Sequence, residues 1–344
     1  MTPSHFLPAD MLATAITAPG GPEQLVASRH PLPAIGSGDI LIRMAAAGVN
    51  GPDLAQRRGH YDPPPGASPL PGLEVSGTVS AVGADVSNHK VGDAVMALTN
   101  GGGYAEYVAV PAGQVLPVPQ GWSFAEAAAL PETWYTVTQT LVMRAGLEAG
   151  MSVLVHGASG GIGGAAIQIA GLLGARAIGV TSTPEKAAYA KAMGAHATID
   201  RSEDIAARAK ELTNGKGVDR VVDVIGGDMA GVNVAASARN GHIVQISTLD
   251  GGTAAVPLRL IMAKGITLSG STLRPQDSAT KRAIAERVAT FLPALAALGW
   301  RKPDIRLFDL ENAAEAHAAM EGRGHIGKLV LLSAYGRESA ADLS

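Results

Sequence analysis

The sequence predicts an α/β protein in which a β-barrel-like domain is followed by a doubly wound parallel one. Three observations carry this. Apolar runs punctuated by Gly and Pro fill the chain from about residue 12 to 120. Apolar strands alternate with helical stretches from about 150 onward. A turn with regularly spaced glycines joins the first of those strands to its helix. At 344 residues the chain is also longer than one core comfortably fills, so two domains are expected.

In the first stretch, ILIRMAAAGV (40–49) and EVSGTVSAVG (74–83) read as strands of an all-β unit. The segment HYDPPPGASPLPG (60–72) holds too much Pro and Gly for a helix or a central strand. It is expected to be an exposed, fairly stiff loop of the kind that often carries function. A helix is expected to open at WSFAEAAALP, where Ser123 and Glu126 have the spacing at which hydroxyl and carboxylate each satisfy an orphan backbone donor.

Beyond it, SVLVHG (152–157) is the first strand of the parallel set and GIGGAAIQIAGLLGA (161–175) its helix. RAIGVT (176–181) follows, and Thr183-Pro184 starts the next helix, which closes near Gly194. HATID (196–200), DRVVDVIG (219–226), GHIVQIS (241–247) and GITLSGSTL (265–273) complete six strands, enough for one doubly wound domain. GHIGKLVLLS (324–333) comes too late for that set and is expected to return to the first domain. The polar tail GRESAADLS (336–344) is expected to fray.

Composition removes several function classes. A formal charge of −3 offers no broad attraction to nucleic acid or anionic lipid, and neither partner is expected. With no Cys, the chain has no disulfide, no thiolate metal site and no thiol nucleophile. The nine His show no i, i+4 pairing or other ligand spacing, so they read as surface or structural residues and no metal is expected. No basic leader and no long apolar run is present, which gives the expectation of a cytoplasmic protein.

VLVHGASGGIGGAA (153–166) is the strongest local signal. Gly157, Gly160 and Gly163 let the backbone turn tightly and approach a pyrophosphate, which would rest on the following helix N-terminus. Ala158, Ser159, Gly161 and Ile162 complete the turn. A glycine turn without a ligand would look the same in isolation; the strand–turn–helix setting favours a dinucleotide. About 20 residues on, where an NAD enzyme usually presents an acid to the ribose, the second strand ends in Thr181-Ser182. No carboxylate there repels a 2′-phosphate, and Ser182, Lys186 and Arg201 could bind one, so NADPH is the expected cofactor. Lys186 alone reads equally as a solvated helix charge, and Glu185 beside it weakens the local field.

With these motifs in order, the chain resembles the medium-chain dehydrogenase/reductase superfamily over nearly its whole length. The resemblance implies a GroES-like catalytic domain (1–132 and 275–344) and a Rossmann NADPH-binding domain (133–274). Zinc alcohol dehydrogenases of that superfamily carry a Cys after the strand matching ILIRMAAAGV and a Gly-His-Glu further on. This chain has Asn50 near the first position and Leu73, in Gly72-Leu73-Glu74, at the second. GVNGPDLAQRRGHYDPPPGAS (48–68), GLEVSGTV, GDAVMAL, GGGYAEY, AAALPETW and HIGKLVL are similar to the zinc-independent quinone oxidoreductases, including zeta-crystallin-type proteins. The departures are Gly51-Pro52 after Asn50, and Arg201 where some members place a Tyr against the adenosine phosphate.

The resemblance implies an NADPH-dependent quinone oxidoreductase, since a quinone delocalises the charge it gains and needs no zinc to take hydride. It implies Asn50 and Tyr61 in the active site, with the Tyr61 hydroxyl able to donate to a substrate oxygen; Tyr61 could equally brace the Pro-rich loop. It assigns Asn50, Thr133, Ile225, Ile246, Ser247, Leu273, Arg274 and Lys328 to the cofactor. Thr133 could instead be a helix-start residue, and Arg274 and Lys328 ordinary surface charges. The substrate implied is a small quinone or an activated carbonyl, and the assembly a homodimer joined through the edge strand GITLSGSTL. Two other readings stay open: an NADPH-dependent alkenal, enone or enoyl-thioester reductase, and a non-catalytic NADPH-binding protein.

Overall fold

The computed structural model describes residues 7–297 and 301–341. The chain divides into two compact units, Met1–Glu132 with Arg274–Ala289 and Asp304–Ser344, and Thr133–Leu273 with Thr290–Pro303. The domain division expected from sequence is corrected at 290–303, which groups with the second unit. Phe291 there meets Trp134 edge-on, with ring centroids 6.4 Å apart.

In the first unit, β1 (Asp10–Ile16) and β2 (Leu25–Pro31) pair as an antiparallel ribbon. A larger sheet is built around β3 (Asp39–Gly48), which pairs antiparallel with β4 (Glu74–Val82) and β6 (Tyr107–Pro111). β5 (Ala94–Leu98) and β7 (Val115–Pro117) extend it. Two register shifts between β3 and β4 mark bulges, the device that bends a sheet toward closure. Ile40, Ile42, Met44, Val75, Val79, Val95, Val108 and Val110 fill the interior. The unit is not wholly β. Gly51–Arg57 is a helix that periodicity hides because it is short, and its start is set by Pro52 and by Asp53 accepting the Asn50 N–H at 2.9 Å. The box at Ser123 and Glu126 forms as expected, with bonds of 2.8 and 3.3 Å, on a helix of only four residues, Phe124–Ala127.

The second unit is a six-stranded parallel sheet containing β8 (Ser152–Val155), β9 (Arg176–Thr181), β10 (Ala197–Asp200), β11 (Val218–Asp223), β12 (Ser237–Gln245) and β13 (Thr267–Gly270). Their order in space is β10-β9-β8-β11-β12-β13. The order reverses between β8 and β11, the switch point at whose carboxyl ends such sheets bind ligands. Thr183 caps the helix Pro184–Ala192 through its hydroxyl, and Gly194, at φ +107°, ends it.

The chain then adds β14 (Ile305–Asp309) and β15 (Lys328–Leu332) to the sheet of the first unit, β15 lying antiparallel against β3, as the late strand was expected to do. The tail is corrected: its first residues continue a helix, Ala334–Ala341, rather than fray, and the last three lie outside the described residues.

Candidate active site

Antiparallel pairing brings the end of β3 to the starts of β4 and β15. Asn50, Glu74 and Lys328 sit at those three places, and their side chains meet. The Lys328 ammonium donates to Glu74 Oε1 at 2.5 Å and to Asn50 Oδ1 at 2.6 Å; Asn50 Nδ2 donates to the same Glu74 oxygen at 2.8 Å. Glu74 Oε2 accepts the Glu132 N–H at 2.9 Å. Asp53 accepts from the Asn50 N–H and from the Gly72 N–H, each at 2.9 Å. All five side chains are buried, and for Asp53 and Glu132 burial is the largest influence on the carboxyl. Asp53 is pushed up to about 6, and Glu132 to about 8, where repulsion from Glu74 and Asp53 adds to burial.

Next to this cluster in the fold of the same unit, Arg274 clamps the Pro-rich loop. It donates to the Asn100 carbonyl at 3.0 and 2.8 Å and to Gln56 Oε1 at 2.9 Å, and its guanidinium lies 5.6 Å from the Tyr61 ring centre. Lys281, also buried, donates to Asn100 Oδ1 and to the Arg274 carbonyl at 2.6 Å each, and burial pushes its ammonium down to about 8. Neither Arg274 nor Lys328 is a surface charge; that reading is corrected by their burial and by the acceptors they hold. The loop is only partly exposed, because Leu70, Pro71 and Gly72 turn inward. Tyr61 is half-buried; burial raises its phenol, with Glu132 the next contributor.

In the second unit the chemistry lies in the backbone. Gly157 takes φ +62°, and a Cβ on Gly163 would come within 2.5 Å of Ala158 Cα. The turn therefore packs against itself where no side chain would fit, at the N-terminus of the helix Gly161–Leu172, where backbone N–H groups and the helix dipole favour an anion. This fits a dinucleotide pyrophosphate. Thr181 ends β9 and Ser182 follows it, Ile225 follows β11, and Ile246 and Ser247 follow β12, so these expected contacts share the carboxyl edge of the sheet. Arg201 follows β10 and is exposed, its N–H bound to the Thr181 carbonyl at 2.8 Å, and Lys186 lies in the first turn of the helix Pro184–Ala192. Leu273 is buried after β13, and Thr133 is buried within the helix Pro131–Val137. Asn50, Arg274 and Lys328 belong to the other unit.

Sequence reasoning missed the roles of Asp53, Glu74, Glu132 and Lys281. It also missed a buried chain in the second unit, in which His156 Nε2 meets Asn233 Oδ1 at 2.7 Å and Asn233 Nδ2 donates to Asp223 at 2.9 Å. The other Asp223 oxygen takes the Ile225 N–H at 2.6 Å and so fixes one expected cofactor contact. The available cue was a charged residue inside an apolar run, as in GLEVSG, ALPETW and GKLVLL.

Residues 36–120 match the alcohol dehydrogenase GroES-like domain and residues 161–289 the zinc-binding dehydrogenase family. Human quinone oxidoreductase is 33% identical over 327 residues, 94% of this chain and 98% of its own length. A quinone oxidoreductase from Pseudomonas syringae superposes with a TM-score of 0.82 at 32% identity, covering 94% of this chain and 99% of the other. A mycobacterial protein complexed with NADPH gives 0.83 at 31% identity, with 94% and 100% covered. A barrel-like unit and a doubly wound dinucleotide unit together define the class, an oxidoreductase with a nicotinamide cofactor. The chain belongs to the medium-chain dehydrogenase/reductase superfamily, among its quinone oxidoreductases.

Proposed function

We propose that the chain is an NADPH-dependent quinone oxidoreductase that works without zinc. The observation that carries this reading is the Lys328 ammonium between Glu74 and Asn50. A fixed cation already answers the buried Glu74 charge, and an amide and Leu73 stand where the zinc members of the superfamily carry ligands, so these residues do not fit the metal. Without a Lewis acid the acceptor must be able to spread the charge it receives, which selects quinones over simple ketones.

When bound, NADPH supplies hydride. The glycine turn would hold its pyrophosphate, Ile225, Ile246 and Ser247 would line its path along the sheet edge, and Ser182, Lys186 and Arg201 would take its 2′-phosphate. Thr133, Leu273 and Arg274 remain proposed cofactor contacts. Tyr61 binds and orients the acceptor through its hydroxyl, whose oxygen is placed by the backbone N–H of Arg274 and whose own O–H can donate to a substrate oxygen. Asn50 is held on both sides by Lys328 and Glu74, its amide also donating to the Gly48 carbonyl at 3.4 Å, and it remains a proposed contact of the acceptor and the cofactor. We further propose a homodimer paired through β13, an edge strand whose Leu268 is 47% exposed.

Steady-state turnover on ortho- and para-quinones, 2-alkenals and enones, each with NADPH and with NADH, tests the reading. Quinones with NADPH should give the highest kcat/KM. A preference for alkenals would move the assignment to the alkenal and enone reductases, and equal use of NADH would remove the phosphate role of Lys186 and Arg201.

A further inference from the structure

The three acids buried near Asn50 do not have their oxygens equally occupied. Asp53 has one on each of two backbone N–H groups, and Glu74 has one on Lys328 and Asn50 and the other on the Glu132 N–H. The Glu132 carboxyl accepts no hydrogen bond among the described residues, although the residue is only 8% exposed. Ionised, it would stand poorly solvated beside two other acids; protonated, it has an O–H to give. The groups that face it are Glu74 on β4, Asp53 on the helix Gly51–Arg57, Lys328 on β15, Lys281 on the helix Ser278–Ala289, and Tyr61 and Arg274. Burial, then Glu74 and Asp53, outweighs the two lysines and holds the carboxyl protonated up to about pH 8. Lys281, the other group that titrates there, has its ammonium engaged by Asn100 and the Arg274 carbonyl.

Resting on the function proposed above, we propose that Glu132 is the proton donor of the reductive step. A quinone that accepts hydride, with NADPH oxidised to NADP+, is left as the hydroquinone monoanion. The Glu132 O–H bond then breaks as the hydroquinone O–H forms, and the carboxylate left behind regains a proton from water.

The ligand-free protein at pH 7 should show the infrared band of a protonated carboxyl that titrates near pH 8 and is missing in Glu132→Gln. With saturating 1,4-naphthoquinone, wild-type kcat should fall as pH rises through about 8, because the donor is lost as the carboxyl ionises. Glu132→Gln should lose about 100-fold in kcat together with that pH dependence, and Glu132→Asp should restore part of both. A Glu132→Gln enzyme with wild-type kcat and an unchanged profile overturns the donor role and leaves the quinone reading standing. A wild type that shows the band but oxidises NADPH with no quinone overturns the functional reading and the donor role with it. Should the Gln variant not fold, absence of the band from the wild type, or a Glu132→Asp profile identical to it, overturns the donor role.

Discussion

The glycine turn of the second unit and the ionic cluster of the first are made of opposite materials. The turn is backbone, and it works by what is missing, since a methyl group at Gly163 would strike Ala158. The cluster is side chains, from the end of β3, from β4 and from β15, and it works by the mutual satisfaction of the buried Asn50, Glu74 and Lys328, with the Glu132 N–H as a further donor. A site of the first kind is robust to charge and sensitive to volume, and one of the second kind is the reverse. Each can therefore be broken by a change the other would tolerate.

The largest effect is expected at the cluster. Lys328→Met keeps the volume and removes the charge, leaving Glu74 buried and unpaired. It should cost about 3–5 kcal/mol in urea unfolding, and adding Glu74→Gln should recover most of the loss. A variant as stable as wild type would show that the pair is not what holds these strand ends. Next comes Gly163→Val, which changes no charge. Overpacking of about 1–3 kcal/mol should weaken NADPH by roughly 10–100-fold in a fluorescence titration, and an unaltered Kd would remove the turn from the cofactor site. Arg201→Ala, on the exposed rim of the second unit, should cut the preference for NADPH over NADH by about tenfold, near 1.4 kcal/mol for a contact made partly in solvent. The smallest effect is expected for Tyr61→Phe, where loss of one neutral hydrogen bond, about 0.5–1.5 kcal/mol, should lower kcat/KM for quinones by about 2–10-fold. Unchanged values for every quinone would leave Tyr61 as a brace for its loop.

The same contrast explains what could be read from sequence. The turn, its strand and its helix are contiguous, so spacing alone exposes Gly157, Gly160 and Gly163, and the cap at Thr183 follows from local chemistry. The inner parallel strands are legible because burial on both faces writes them as apolar runs, while the exposed edge strand β13 is marked only by its place after GHIVQIS in the alternation. The cluster has no such period. Asn50, Asp53, Glu74, Glu132 and Lys328 meet only through antiparallel registers set by the whole sheet, and the short helix between Asn50 and the Pro-rich loop is too brief to show a helical repeat. Arg274 and Lys328 were named but their surroundings were not, since nothing local distinguishes a buried cation with acceptors from a solvated one.

The Lys328 to Glu74 pair also has a history in time. Its partners lie 254 residues apart, with the other unit's strands encoded between them. During synthesis β3 and Glu74 emerge on the order of tens of seconds before the strand that covers one and the ammonium that neutralises the other. Until then the end of β3, at residues 46–48, lacks its β15 partner and Glu74 its counter-charge, so the barrel-like unit completes its fold after the dinucleotide unit, whose six strands emerge in one continuous stretch. A nascent chain stalled before residue 328 should bind NADPH while its first unit remains open to proteolysis.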